Sequence, residues 1–103
     1  MKRGEVWWVN FDPSLGGEIK KTRPAIILSN DASNKRVQVV PLTSKLGKLF
    51  PSEAYVTVGD KPSKAMADQV TTVSKLRLLN SVGSLSQSDL AAVESAVRNQ
   101  LSL

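Results

Sequence analysis

The apolar segments of this chain are short, rich in β-branched and aromatic residues, and separated by glycine, proline and asparagine, which limits the fold to a mainly β architecture. The pattern predicts strands over residues 4–11, 24–30, 36–42 and 53–58, a long or bent strand over 64–73, a helical turn over 74–79 and a brief strand at Val82–Gly83. Such strands indicate a small, strongly bent antiparallel sheet or barrel. At 103 residues the chain can build one core but not two, so we expect a single domain over residues 1–103.

The last predicted element is an amphipathic helix from Ser86 to Leu101. Its apolar residues recur at helical spacing: Leu90, Val93, Ala96, Val97 and Leu101. Ser86, with Asp89 three residues later, resembles a capping box that has Asp in place of Glu. We therefore expect this helix to dock onto the sheet.

The segment from Lys20 to Leu28 places two lysines, a threonine and an arginine at the start of an apolar run. Pro24 favours an extended conformation for Arg23, so the arginine is expected at the beginning of a strand. Its planar guanidinium can donate two hydrogen bonds to one phosphate group. The alternative interpretation is a solvated arginine at a strand end.

The spacing of two predicted strands brings Arg23 close to a hydroxyl group. Turn-forming residues at 31–35 separate the strand that begins at Pro24 from the strand that ends at Leu42. If the two strands pair symmetrically about this turn, Arg23 and Thr43 lie at the same end of the sheet. The loops on either side carry lysines, so the sequence predicts an anion-binding rim.

Composition narrows the chemistry that such a rim can perform. The chain has no histidine and no cysteine, which excludes a histidine base, a cysteine nucleophile and His/Cys zinc sites. Its net charge of +5 and pI of about 9.8 favour a polyanionic partner such as nucleic acid, although a basic protein without such a partner has the same composition. No segment has the apolar length of a membrane span or a signal-peptide core, so we expect the mature chain to start at Met1 in the cytoplasm.

Two further features have both a structural and a functional interpretation. Trp7 and Trp8 alternate along the first strand, so one is expected in the core while the other is available for stacking by a base or a partner. Asp68 and Gln69 form a polar pair inside an apolar stretch, which indicates either a structural hydrogen-bonding device or part of a site.

Several short motifs, in order over nearly the whole chain, resemble the MazF/PemK family of bacterial toxins. They are Arg3-Gly4-Glu5-Val6-Trp7, Phe11-Asp12-Pro13, Gly16-Gly17-Glu18, Lys21-Thr22-Arg23-Pro24-Ala25, Pro41-Leu42-Thr43-Ser44, Asp68-Gln69-Val70 and Lys75-Leu76-Arg77-Leu78. The resemblance implies a small SH3-like antiparallel barrel with a C-terminal α-helix, usually a homodimer. It also implies a metal-independent mRNA interferase that needs no cofactor, inhibits translation and growth, and is neutralised by an acidic segment of a cognate antitoxin. Its substrate would be single-stranded RNA, chiefly mRNA but also tRNA or rRNA, cut by 2′-OH attack to leave a 2′,3′-cyclic phosphate and a 5′-OH.

The resemblance also assigns roles to individual residues. Arg23 matches the catalytic arginine of the family and Thr43 its catalytic hydroxyl residue. Glu18 and Asp68 match acids that act as the base in different branches, but the branch that uses the aspartate has an arginine where this chain has Met66. The expected RNA contacts are Lys20, Lys21, Ser44, Lys45, Lys48, Ser63 and Gln69.

Two other functions are compatible with the same fold. A CcdB-like gyrase inhibitor would depend on a C-terminal Trp-Gly-Ile ending, whereas this chain ends in Leu101-Ser102-Leu103. A non-catalytic RNA-binding domain remains the third interpretation.

Overall fold

The structure is a computed structural model that describes residues 1–12, 22–30 and 35–103. Within these ranges it contains seven strands, two short 3-10 turns and one α-helix. The strands are β1 (Glu5–Asn10), β2 (Thr22–Ile27), β3 (Arg36–Thr43), β4 (Glu53–Val58), β5 (Lys61–Met66), β6 (Thr71–Ser74) and β7 (Leu78–Ser84), and the helix is α1 (Gln87–Leu101). None of the helices in the described residues is long and apolar enough to cross a membrane.

All strand pairs are antiparallel, in the order β4-β5-β3-β2-β1-β7, with β6 also paired to β3. Strand β3 bends the sheet because its first half pairs with β6, whereas its last two residues, Leu42 and Thr43, pair with β5. The result is a curled half-barrel with a C-terminal helix, and the predicted fold class is confirmed.

The central strands are buried on both faces, which produces two core clusters. Ile26 belongs to the cluster beneath α1, and the adjacent Ile27 belongs to the cluster on the opposite face. The two tryptophans also lie in different environments. Trp7 packs against the second cluster, whereas Trp8 is 37% exposed. One tryptophan in the core and one accessible is the predicted arrangement.

The prediction of one strand over residues 64–73 is wrong. The chain leaves β5 at Met66, makes a 3-10 turn over Ala67–Gln69 and re-enters the sheet as β6. Ala67 is fully buried, and its N–H donates to the carbonyl of Ser52 at 2.9 Å, so the turn is held from inside while Asp68 and Gln69 are exposed. Strand β7 is also longer than predicted, because its pairing with β1 outweighs the low strand propensity of Asn80, Ser81 and Gly83.

The predicted helix is confirmed, but its apolar stripe is only partly covered. Val93 and Ala96 are buried, whereas Leu101 is 51% exposed. The hydroxyl of Ser86 accepts a hydrogen bond from the N–H of Asp89 at 3.1 Å, which is one half of the expected capping box. The Asp89 carboxylate accepts instead from the N–H of Thr57 at 2.9 Å, so it ties the helix to β4.

Candidate active site

The pairing of β2 with β3 determines where Arg23 and Thr43 lie. The register pairs Ala25 with Pro41 and Ile27 with Val39, so the hairpin is centred on position 33. The same register, continued by two residues, places Thr43 opposite Arg23. Both residues line one pocket of about 510 Å³, and the prediction that they share one end of the sheet is confirmed.

This pocket, here called the main pocket, is built from six strands and the loop after β3. Its lining residues are Trp8, Thr22, Arg23, Pro24, Leu42, Thr43, Ser44, Lys45, Val58, Lys61, Ser63 and Val82. Three of these residues are cationic, and no carboxylate is among the described residues that line it. The field inside the main pocket is therefore positive, which favours an anionic ligand.

Arg23 stands at the rim of the main pocket. It also lines a smaller pocket of about 200 Å³, together with Phe11, Pro41, Gln69 and Thr71. Arg23 is exposed, and its guanidinium makes no hydrogen bond or ion pair within residues 1–12, 22–30 and 35–103. An arginine that lines two pockets and whose donors are unengaged among the described residues is suited to bind a phosphate group.

Thr43 is oriented by the backbone that follows it. Its hydroxyl oxygen accepts a hydrogen bond from the N–H of Lys45 at 3.2 Å. Because a hydroxyl both donates and accepts, this bond leaves the hydroxyl hydrogen of Thr43 free to donate to a ligand. The main pocket thus combines a hydroxyl donor with the positive charges of Arg23, Lys45 and Lys61.

Ser63 is the most buried polar residue among those described that line the main pocket. It is only 6% exposed, and it pairs across the sheet with the buried Val56. Its hydroxyl makes no hydrogen bond in the described part of the chain. Since no buried side-chain polar atom of the described residues lacks a partner, the hydroxyl oxygen of Ser63 is open to the pocket and is suited to contact a bound ligand.

Other predicted site residues lie apart from this cluster. Asp68 is exposed on the 3-10 turn and is not among the residues lining either pocket at Arg23, whereas Gln69 lines the smaller one and donates to the sulfur of Met66 at 3.5 Å. Lys48 lies in the loop after β3, with its ammonium 5.5 Å from the centre of the Phe50 ring. Glu18, Lys20 and Lys21 fall outside the described residues.

An ion pair fastens the loop that contributes Ser44 and Lys45 to the main pocket. The ammonium of Lys64 lies 3.1 Å from the Glu53 carboxylate and donates to the carbonyl of Lys48 at 3.3 Å. Glu53 also accepts from the N–H of Phe50 at 3.0 Å. This backbone hydrogen bond, aided by Lys64, lowers the pKa of Glu53 below its usual range. The hydroxyl of Tyr55 also holds this loop, because it donates a hydrogen bond to the carbonyl of Gly47 at 2.5 Å.

Sequence reasoning missed Lys61 and Arg77. Lys61 falls between the predicted strands over 53–58 and 64–73, and no local pattern shows that this part of the chain reaches the end of β2. Arg77 donates to the carbonyls of Asn10 at 3.0 Å and Asp12 at 2.5 Å, so it holds the chain where β1 ends. Its place in a matching motif was the only available signal.

Metal binding depends on which side chains of the described residues lie close together. No group of three or more carboxylates able to hold a metal ion occurs in residues 1–12, 22–30 or 35–103. The positive lining of the main pocket would also repel a cation.

Fold and pocket together define a small basic β-barrel domain with a positively charged pocket at one end of a hairpin. The family model for the PemK-like, MazF-like toxin of type II toxin–antitoxin systems matches residues 2–101. The chain therefore belongs to this toxin family, as its motifs indicated.

Individual relatives and solved structures agree with this assignment. The chain is 35% identical over 115 residues to Endoribonuclease MazF9 of Mycobacterium tuberculosis, covering 100% of this chain and 98% of that protein. It is 30% identical over 111 residues to Endoribonuclease MazF of Staphylococcus saprophyticus, covering 100% and 92%. An endoribonuclease in complex with its cognate antitoxin, from a mycobacterial species, matches the fold with a TM-score of 0.83 at 21% identity, covering 100% and 96%. A MazE–MazF complex from Deinococcus radiodurans gives a TM-score of 0.77 at 25% identity, covering 100% and 96%.

Proposed function

We propose that this protein is the toxin of a type II toxin–antitoxin pair and acts as a metal-independent endoribonuclease on single-stranded RNA. The observation that carries the proposal is the presence of Arg23, unpaired among the described residues, and Thr43 in one positively charged pocket. A nuclease without histidine or cysteine can use these two side chains, because the nucleophile is the 2′-OH group of the RNA substrate.

In the proposed reaction the ribose 2′-OH attacks the adjacent phosphorus and the bond to the 5′ oxygen breaks. The products are a 2′,3′-cyclic phosphate and a 5′-OH, and the proton lost by the 2′ oxygen is balanced by the proton gained at the 5′ oxygen. Arg23 stabilises the charge that develops on the phosphate oxygens, and Thr43 donates to one of them. Arginine stays protonated at neutral pH, so Arg23 acts as a donor and not as the base.

The proton acceptor is assigned by elimination. No carboxylate is among the described residues that line the main pocket, and Asp68 is exposed outside it. Glu18, five residues before Arg23 in the sequence, is therefore the acid we favour over Asp68. We assign RNA-backbone contacts to Lys20, Lys21, Ser44, Lys45 and Lys48, and contacts near the cleaved phosphate to Ser63 and Gln69.

The proposal extends to the partners of the protein. We expect a cognate antitoxin whose acidic segment covers the same positive surface, since two of the similar solved structures are described as complexes with an antitoxin or with MazE. A homodimer, mRNA as the main substrate, growth inhibition and a cytoplasmic site of action belong to the same proposal. The growth effect would be tested by comparing the growth of cells that express this protein alone with that of cells that also express the antitoxin.

The first testable prediction concerns the two central residues. Arg23→Ala should lower the cleavage rate by about 10²- to 10³-fold, the usual effect of removing one donor to a developing oxyanion, and Thr43→Ala should also impair it. Thr43→Ser, which keeps the hydroxyl, should retain most of the activity. Cleavage of pooled RNA in EDTA, read by mapping 5′-OH ends, measures rate and cut sites together.

Thermal unfolding of each variant separates lost chemistry from lost folding. Because Arg23 and Thr43 are not fully buried, the variants should melt close to the wild-type temperature. Activity that vanishes with the chelator, or that survives Arg23→Ala, would contradict the mechanism.

A further inference from the structure

The main pocket contains an apolar part that phosphate binding does not explain. Arg23, Thr43 and Lys45 suit a phosphate group, but Trp8, Pro24, Leu42, Val58 and Val82 line the same space. A phosphate gains nothing from contact with five apolar side chains. An apolar floor beside a phosphate-binding rim has the composition expected for a nucleotide, with its charged part outside and its base inside.

Trp8 has the position and exposure that base stacking requires. It pairs with Pro24 across β1 and β2, and Pro24 is the residue after Arg23. The indole is 37% exposed, and its N–H makes no hydrogen bond in the described part of the chain. The neighbouring Trp7 contrasts with it, because that indole N–H donates to the carboxylate of Glu5 at 3.1 Å and the ring packs against the core.

Ser63 adds a polar group to the lining of the main pocket. The residue is 6% exposed, but its hydroxyl oxygen is accessible and has no hydrogen-bond partner among the described residues, and Lys61 and Val58 also line the pocket. A single hydroxyl in an apolar recess can hydrogen-bond the edge of a base whose face stacks on an aromatic ring. At about 510 Å³ the main pocket lies within the usual range of about 300–1,000 Å³ for small-ligand sites.

We propose that the main pocket binds the base of a nucleotide next to the cleaved phosphate, with the base stacked on Trp8 and its edge facing Ser63. This assignment rests on the proposed function for the identity of the phosphate, but base binding itself can be measured without cleavage. This assignment makes Trp8 a specificity-determining residue, because the base that stacks on Trp8 lies in the same pocket that Arg23 lines.

Tryptophan fluorescence tests the stacking directly. Trp7→Phe leaves Trp8 as the single tryptophan of the chain. We expect 2′-O-methyl oligoribonucleotides, which cannot supply a 2′-OH nucleophile, to quench this fluorescence to saturation and with different affinities for A, C, G and U. An abasic oligonucleotide and inorganic pyrophosphate, which offer charge without a base, should leave it unchanged.

Substitution separates stacking from a structural role. Trp8→Leu should weaken oligonucleotide binding by about 5- to 140-fold, the range for one base–aromatic stack, whereas Trp8→Phe should retain most of it. Leu79→Ala is the matched control, because Leu79 is also an exposed apolar residue but lies on β7 and does not line the main pocket. Ser63→Ala should change the preferred base with a smaller effect on affinity.

The outcomes distinguish this inference from the proposed function. If the wild-type protein cuts RNA while Trp8→Leu keeps its affinity and cut sites, or if abasic and base-containing oligonucleotides quench Trp8 equally, the base pocket is refuted and the nuclease stands. If base-specific quenching occurs without cleavage, the base pocket is supported and the nuclease assignment fails.

Discussion

At the scale of single residues, Glu53 and Lys64 show how polar groups shape the site without touching its ligand. Their side chains are 14% and 10% exposed, respectively, and both also bond to the backbone of the loop after β3. The apolar residues of that loop, Leu49 and Phe50, remain exposed. The loop is therefore held mainly by its polar backbone contacts, and Lys45 at the main pocket depends on them.

The pH dependence of stability should report this ion pair. The pKa of Glu53 is lowered in the folded protein by the Phe50 N–H and by Lys64, so its contribution to stability is present above its ordinary pKa of 4.5 and is lost as pH falls through the folded value. Glu53→Gln should thus lower the melting temperature clearly near neutral pH, and the difference from wild type should shrink below pH 4.5. Asp60→Asn, in the exposed β4–β5 turn, serves as the control in parallel melts. A difference that stays constant down to pH 3 would argue against the pair.

At the scale of elements, the β2–β3 hairpin was predictable and the parts packed over it were not. The turn formers at 31–35 and the apolar runs beside them are local signals, so the proximity of Arg23 and Thr43 could be read from the sequence. The break between β5 and β6 could not, because it depends on the burial of Ala67 beside Ser52, a contact between distant segments. The same limit applies to Lys61, which reaches the main pocket only through the packing of the β4–β5 hairpin.

The contact between β1 and α1 is an element-scale feature that depends on a glycine. Gly4 has a φ of +91°, and a Cβ added there would lie 3.2 Å from Cδ2 of Leu90. Its N–H donates to the carbonyl of Ile27 at 2.8 Å, and its carbonyl accepts from Leu85 at 2.9 Å, so the backbone has little freedom to move away. Arg3 strengthens the same junction through the Leu28 carbonyl and the Glu94 carboxylate.

Gly4→Ala should therefore destabilise the protein more than the backbone strain alone predicts. Gly59→Ala is the matched control, since Gly59 has a φ of +60° but nothing lies within 4 Å of its added Cβ. We expect the control to cost about 1–2 kcal/mol for the left-handed conformation. Gly4→Ala should cost up to about 1 kcal/mol more, the low end of the range for overpacking, because the Leu90 methyl group must shift by a few tenths of an ångström. Urea unfolding measures the free energy of unfolding of both variants. Equal losses of stability would show that Leu90 moves away from the added methyl group without a cost in free energy.

At the scale of the whole molecule, the distribution of the net charge matters more than its size. Arg3, Lys64 and Arg77 are engaged in ion pairs or hydrogen bonds that hold the fold together. Arg23, Lys45 and Lys61 make no such side-chain contacts within the described residues, and all three line the main pocket. Three cations without such contacts thus converge on the main pocket, whose described lining residues include no carboxylate. Such a group of like charges favours a polyanion at the pocket.

The salt dependence of RNA binding should reveal this group of charges. Each phosphate neutralised on a single strand contributes about −0.7 to the slope of log K against log salt. Lys61→Gln should therefore reduce the steepness of the slope by about 0.7 if Lys61 contacts one phosphate. Lys35→Gln removes the same charge at the opposite end of the β2–β3 hairpin and should leave the slope almost unchanged. Binding of an uncleavable 2′-O-methyl oligonucleotide, followed by fluorescence anisotropy over a series of KCl concentrations, gives both slopes. Equal slopes for the two variants would mean that the net charge attracts RNA without directing it to the pocket, because the position of the lost charge would then not matter.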